Sequence, residues 1–133
     1  MLERVYSDTP RILAIQDVHL VASPQTAERL LAFYQDLVGL TPIDASADTK
    51  SVSFRGVSRS DPKLIVSFMN NPPTPRPRRA LLVRVGSLYV CAEAMQERSL
   101  PYEWIRGWSF FDRRLAIEDP AGHRVEIVAY HGF

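Results

Sequence analysis

A chain of 133 residues, 46% apolar and 23% charged, has the balance of a single soluble globular domain long enough to bury a core. Its net charge of +1 excludes a global field that would draw nucleic acid or an anionic membrane, and no apolar run approaches the roughly 20 residues of a membrane span. One cysteine, Cys91, excludes an internal disulfide and a cysteine-rich metal site; with no signal-peptide pattern at the start, an intracellular, cytoplasmic protein is expected.

In chain order, residues 12–22 read as a strand. Ser23 is a good N-cap and Pro24 suits the first helical position. Ala27, Leu30, Leu31 and Tyr34 then recur at i, i+3, i+4 and i+7, one face of a helix that Gly39 closes. Short strands are expected near 42–45, 51–55 and 63–69. Residues 70–79 hold four prolines within six positions, which no helix or central strand tolerates, so they read as an extended connector. The arginines 76, 78 and 79 beside them make a solvated hinge rather than a nucleic-acid patch. After the connector the order repeats: a strand at 80–85, Ser87 as a cap, and a stripe of Leu88, Cys91, Ala92 and Met95. Strands follow near 102–106, 110–117 and 124–130.

A shift of 61 positions lays the first helical stripe onto the second. The fold expected is α+β: a single domain over 1–133 made of two β-α-β-β-β modules, about 12–69 and 80–131. The two modules form a curved mixed-sheet cup with helices on the convex face. Strand alternation puts Val18 and Leu20 under the first helix and turns Asp17, His19 and Val21 to the concave side. On the last strand Arg124, Glu126, Val128 and Tyr130 share one face. Leu82 and Arg84 share a face of their strand, and of the adjacent Arg113 and Arg114 one is to face the cup.

Two motifs carry more. His19 is followed 14 and 15 residues later by Phe33-Tyr34, then by Gly39. Asp119-Pro120-Ala121-Gly122 is a tight turn with Glu126 four residues beyond. Together, over about residues 15–130, these resemble the first and last strands of the vicinal oxygen chelate superfamily, which includes glyoxalase I, bleomycin-resistance proteins and extradiol dioxygenases. The resemblance implies a divalent metal in the cup (Fe, Mn, Ni or Zn), held by His or Glu from the first, fourth, fifth and eighth strands. His19 and Glu126 match the first and eighth positions. The fifth-strand position falls on Ala80, and residues 63–69 contain no histidine or acid. Two ligands stand where catalytic sites usually keep three.

The reading that follows is a small-molecule-binding cup with an incomplete metal site. His19 and Glu126 would be catalytic acid/base groups, and Arg84, Trp104, Tyr130 and Leu82 would line the ligand site. A planar or anionic organic ligand suits apolar walls with an arginine fork. The alternative is a metal-dependent lyase, isomerase or ring-cleaving dioxygenase with His19 and Glu126 as metal ligands. His123, in the turn, is expected to be exposed, and Cys91 to be core. The resemblance also implies a homodimer.

Overall fold

The computed structural model describes residues 10–14, 16–43, 50–56, 62–75, 81–106 and 113–129. Among them, nine strands form two mixed sheets. The strands are β1 (Arg11–Ile12), β2 (Val18–Ala22), β3 (Thr41–Ile43), β4 (Ser51–Arg55), β5 (Leu64–Phe68), β6 (Leu81–Val85), β7 (Glu103–Arg106), β8 (Arg113–Glu118) and β9 (Arg124–Ala129). The four-stranded sheet runs β2-β5-β4-β3 and the five-stranded sheet β1-β6-β9-β8-β7. In each, the first strand of its half pairs in parallel with the last, β2 with β5 and β6 with β9, and the other pairings are antiparallel. The repeat expected from the sequence is therefore the order of the fold. The strand expected over 110–117 begins, among the described residues, at Arg113. No helix of the described residues is long and apolar enough to cross a membrane.

The second helix, α2 (Leu88–Glu97), follows its sequence signals closely. The Ser87 side chain accepts from the Val90 N–H at 3.3 Å, and Leu88, Cys91, Ala92 and Met95 are its buried stripe. Burial pushes the Cys91 thiol up to about 11, so it is an inert core group. At the C-terminus Ser99 adopts a left-handed φ of 56°, with Leu100 N–H on the Met95 carbonyl at 2.9 Å and Ser99 N–H on that of Gln96 at 3.0 Å. That bonding pattern is the one glycine usually closes. Replacing Ser99 with glycine is expected to raise the unfolding free energy by about 0.5–1 kcal/mol, read by urea denaturation; a loss of stability would show that the serine side chain contributes more than its backbone strain costs.

The first helical stretch departs from a regular α-helix. A 3₁₀ turn (Pro24–Thr26), capped by the Ser23 side chain on the Gln25 N–H, leads into α1 (Ala27–Leu31) and then a π-helical segment (Ala32–Leu37). The Val38 N–H bonds the Phe33 carbonyl at 3.0 Å, one residue further back than an α-helix allows. The wider turn moves the buried stripe from the regular i+3/i+4 pattern to Leu30, Phe33, Tyr34, Leu37 and Val38, while Ala27 and Leu31 are only partly buried. Gly39, at φ 92°, closes the stretch as expected.

The single strand expected over 12–22 is two strands in different sheets. β1 pairs antiparallel with β6, extended by the Leu13 N–H on the Leu82 carbonyl at 2.9 Å, while β2 begins where Asp17 Oδ1 accepts from the Lys63 N–H at 2.9 Å. Gly56 makes the crossing possible: a Cβ there would lie 2.4 Å from the Pro10 carbonyl oxygen. The first half thus lends an edge strand to the sheet of the second. Buried residues from both halves join in one core, with Tyr34 and Phe54 ring centroids 5.5 Å apart on one side and Leu81, Val83, Leu115, Val125 and Ile127 on the other.

Candidate functional site

The two motifs at opposite ends of the chain meet. Tyr34, fully buried, donates its hydroxyl to Asp119 Oδ2 at 2.5 Å, across 85 positions of sequence. The turn that carries Asp119 is built for this. Pro120 presets φ, Gly122 accepts a φ of 94°, and the Gly122 N–H closes the turn on the Asp119 carbonyl at 2.9 Å. Asp119 Oδ1 accepts from the N–H groups of Ala121 and His123, at 2.8 and 2.9 Å. His123 Nδ1 lies 2.9 Å from Asp119 Oδ2, and its Nε2 lies 3.0 Å from the Val21 carbonyl of β2. Both ring nitrogens thus lie within hydrogen-bond distance of an oxygen.

His123 is 6% exposed, which corrects the expectation of an exposed turn residue. Its ring tucks under β2 instead of pointing outward. Burial alone would raise the Asp119 carboxyl, but the hydrogen bonds from His123 and Tyr34 outweigh it and hold it below the usual carboxylate range. Burial first, then the Asp119 charge and hydrogen bond, pushes the Tyr34 phenol well above its ordinary value. Every donor and acceptor here is engaged, so this network is a brace between the two halves rather than a reacting group.

The candidate binding surface is the face of the five-stranded sheet opposite α2. Cross-strand register places Leu82, Glu126, Ala116 and Glu103 in one row, and Arg11, Arg84 and Val128 in another. Glu126 is buried, at 8% exposure, and both its oxygens are taken: Oε1 by Arg114 Nη1 at 3.0 Å and Oε2 by Arg124 Nε at 3.1 Å. Arg114 is also buried, at 9%. Of the adjacent arginines, Arg114 therefore faces this surface, while the Arg113 guanidinium lies over the Trp104 ring at 4.5 Å. A groove of about 310 Å³ adjoins the clamp, with Glu103, Ala116, Glu118 and Arg124 among its walls.

The expected site residues distribute unevenly. Leu82, Arg84 and Glu126 share the open face. His19 is exposed on β2, paired with Ile65 of the other sheet, and among the described residues it makes no hydrogen bond to Glu126. Trp104 lies on the opposite face: it registers with Leu115 of the core and its ring sits 5.8 Å from Tyr89 of α2. The cup-wall position expected for Trp104 is thus corrected, because its strand phase follows the core residue Leu115. Tyr130 and Ala80 lie outside the described residues. The sequence offers Arg124, two positions away on β9, or another arginine as the partner of a surface Glu126; the structure supplies both Arg124 and Arg114 and buries the carboxylate between them.

A divalent cation does not suit this donor set. Both Glu126 oxygens already neutralise guanidinium groups, and added positive charge beside two arginines is repelled. Among the described residues no cluster of three His, Cys, Asp or Glu is placed to hold a metal.

Neither family models nor curated proteins match the chain. Solved structures do. A lactoylglutathione lyase from Agrobacterium tumefaciens is 22% identical, covering 90% of this chain and 97% of its own, with a TM-score of 0.66. An antibiotic binding protein from a Streptomyces species is 19% identical, covering 88% and 98%, with a TM-score of 0.63. A fosfomycin resistance protein from Listeria monocytogenes is 13% identical, covering 90% of each chain, with a TM-score of 0.67. At these identities the likeness is one of fold.

Proposed function

From a chain with the vicinal oxygen chelate fold, shared with glyoxalase, bleomycin-resistance and fosfomycin-resistance proteins, we propose a protein that binds a small organic anion on the open face of its five-stranded sheet. The observation that carries this is the Glu126 clamp. The carboxylate that a metal would need is held by Arg114 and Arg124, with Arg84 and Leu82 on the same face. Such a surface sets guanidinium charge beside a partly apolar floor, which suits carboxylate or phosphonate groups attached to a small carbon skeleton. Similarity to antibiotic-binding and resistance proteins supports a sequestering role. Among the described residues β1 and β7 end the five-stranded sheet and β2 and β3 the four-stranded one, so a homodimer paired through an edge belongs to the same proposal, as does a cytoplasmic location.

Isothermal titration with a panel of aromatic carboxylates and alkyl phosphonates tests it. At least one is expected to bind, and Arg84→Ala to weaken it by about tenfold, as for loss of a charge-assisted contact. The same protein, purified without chelator, is expected to carry well below one equivalent of Fe, Mn, Ni or Zn. Stoichiometric metal removed by His19→Ala would overturn the proposal and make His19 and Glu126 ligands of a metalloenzyme.

A further inference from the structure

A second cleft adjoins the first groove at Leu100, Pro101 and Glu118 and extends toward the first helical stretch. It has a volume of about 420 Å³ and lies between the π-helical segment of the first half and the β8–β9 turn and α2 C-terminus of the second. That size is within the range of small-molecule sites, roughly 300–1,000 Å³. Phe33 and Leu37 project there because the wide π turn presents them together, and Leu100 and Pro101 because the left-handed Ser99 turns the chain at the end of α2.

The polar groups divide sharply. At the base, Asp119 is saturated by Tyr34, His123 and two backbone N–H groups, so nothing there needs a retained water. At the rim, Arg29 has no hydrogen-bond or ion-pair partner among the described residues. Arg98 spends one N–H group on the Ala94 carbonyl at 3.1 Å and keeps the rest of its fork. Glu118 is the one rim carboxylate. The rim thus sets two cations against one anion beside apolar walls, while the Asp119 charge at the base is taken up by its four hydrogen bonds.

We propose that this cleft is a second binding site, taking an amphipathic organic monoanion. Its ring or branched alkyl body lies against Phe33, Leu37 and Leu100, and its carboxylate or sulfonate lies on Arg29 and Arg98. The Glu118 charge disfavours a dianion. The cleft meets the 310 Å³ groove at Leu100, Pro101 and Glu118 but takes none of its cations from Arg84, Arg114 or Arg124, so Arg84→Ala separates this site from the proposed function.

The probe is 1-naphthylacetate, titrated calorimetrically into the full chain. One equivalent is expected to bind. Ala32→Trp, at an exposed wall position, is expected to fill the cleft and weaken binding by about tenfold or more, and Arg29→Gln to weaken it by about five- to tenfold. Arg84→Ala, on the other face, is expected to leave it within about twofold. Circular dichroism establishes that each variant folds, and Arg29→Gln, being an exposed surface change, serves if Ala32→Trp does not. Four results would overturn the proposal: no binding to the parent chain, binding indifferent to both cleft variants, binding lost with Arg84→Ala, or a parent dimer that Ala32→Trp dissociates. The last would mean that a second copy covers the cleft.

Discussion

Asp119→Ala is expected to lose about 3–5 kcal/mol of unfolding free energy, close to the whole stability of a marginal domain. The carboxylate is 4% exposed and accepts four hydrogen bonds. Truncation strands the Tyr34 hydroxyl, a His123 ring nitrogen and two backbone N–H groups in a dry interior, each with its own desolvation cost. Tyr34→Phe removes one donor to the same carboxylate and is expected to lose about 1.5–3 kcal/mol. Because the folded carboxyl is held below its ordinary value, the native state binds a proton less readily than the unfolded chain does. Its contribution is therefore complete above the usual carboxylate range, near pH 4, and is lost as pH falls through and below it. Tyr34 has the opposite sign: its phenol is raised, so its contribution is complete below about pH 10 and is lost as pH rises beyond that. Urea denaturation across pH measures both limbs. An Asp119→Asn chain that kept the parent's acid-side slope would show that other groups govern acid stability.

Glu126→Ala has the second large effect, and its sign on binding separates the two functional readings. The buried Arg114 loses the carboxylate on its Nη1, and breaking a buried ion pair by removing one member costs about 3 kcal/mol or more. Replacing both partners, Arg114→Met with Glu126→Leu, is expected to recover most of that loss, since a well-packed apolar pair avoids the desolvation cost of two charges. Denaturation of the two single variants and the double variant gives the coupling directly. For ligand binding, Glu126→Ala removes the carboxylate that competes with an incoming anion for Arg114 and Arg124, so affinity for the organic anion is expected to rise several-fold by the tenfold-per-1.4 kcal/mol scale. A loss of all binding in a folded Glu126→Ala chain would instead make the carboxylate a direct ligand, acid or base.

How the site was legible follows from the range of each signal. The faces of β9 were readable because alternation is a property of the strand itself: Val125 and Ile127 enter the core and Glu126 turns away. Trp104 was misread because β7 is four residues long, with Trp104 and Ile105 adjacent, so alternation alone does not say which faces the core; pairing with Leu115 does. The burial of His123 was hidden because its partner, the Val21 carbonyl, lies 102 positions away. Tyr34 and Asp119 each carried a local explanation, a helix stripe and a turn, that concealed their bond.

The sequence by itself determined the repeated module, the two cap serines, the positive-φ positions Gly39 and Gly122 and the buried stripe of α2. These depend on backbone geometry within a few residues, and the same residues impose it in any context. Only the tertiary structure decided that Arg11–Ile12 joins the other half's sheet, that the first helix widens into a π segment, and that Glu126 sits between two arginines. Each of those outcomes is chosen by a partner from elsewhere in the chain: the open edge of β6 across from Gly56, the core that Phe33, Tyr34 and Leu37 enter together, and a guanidinium that cannot be buried without a counter-charge.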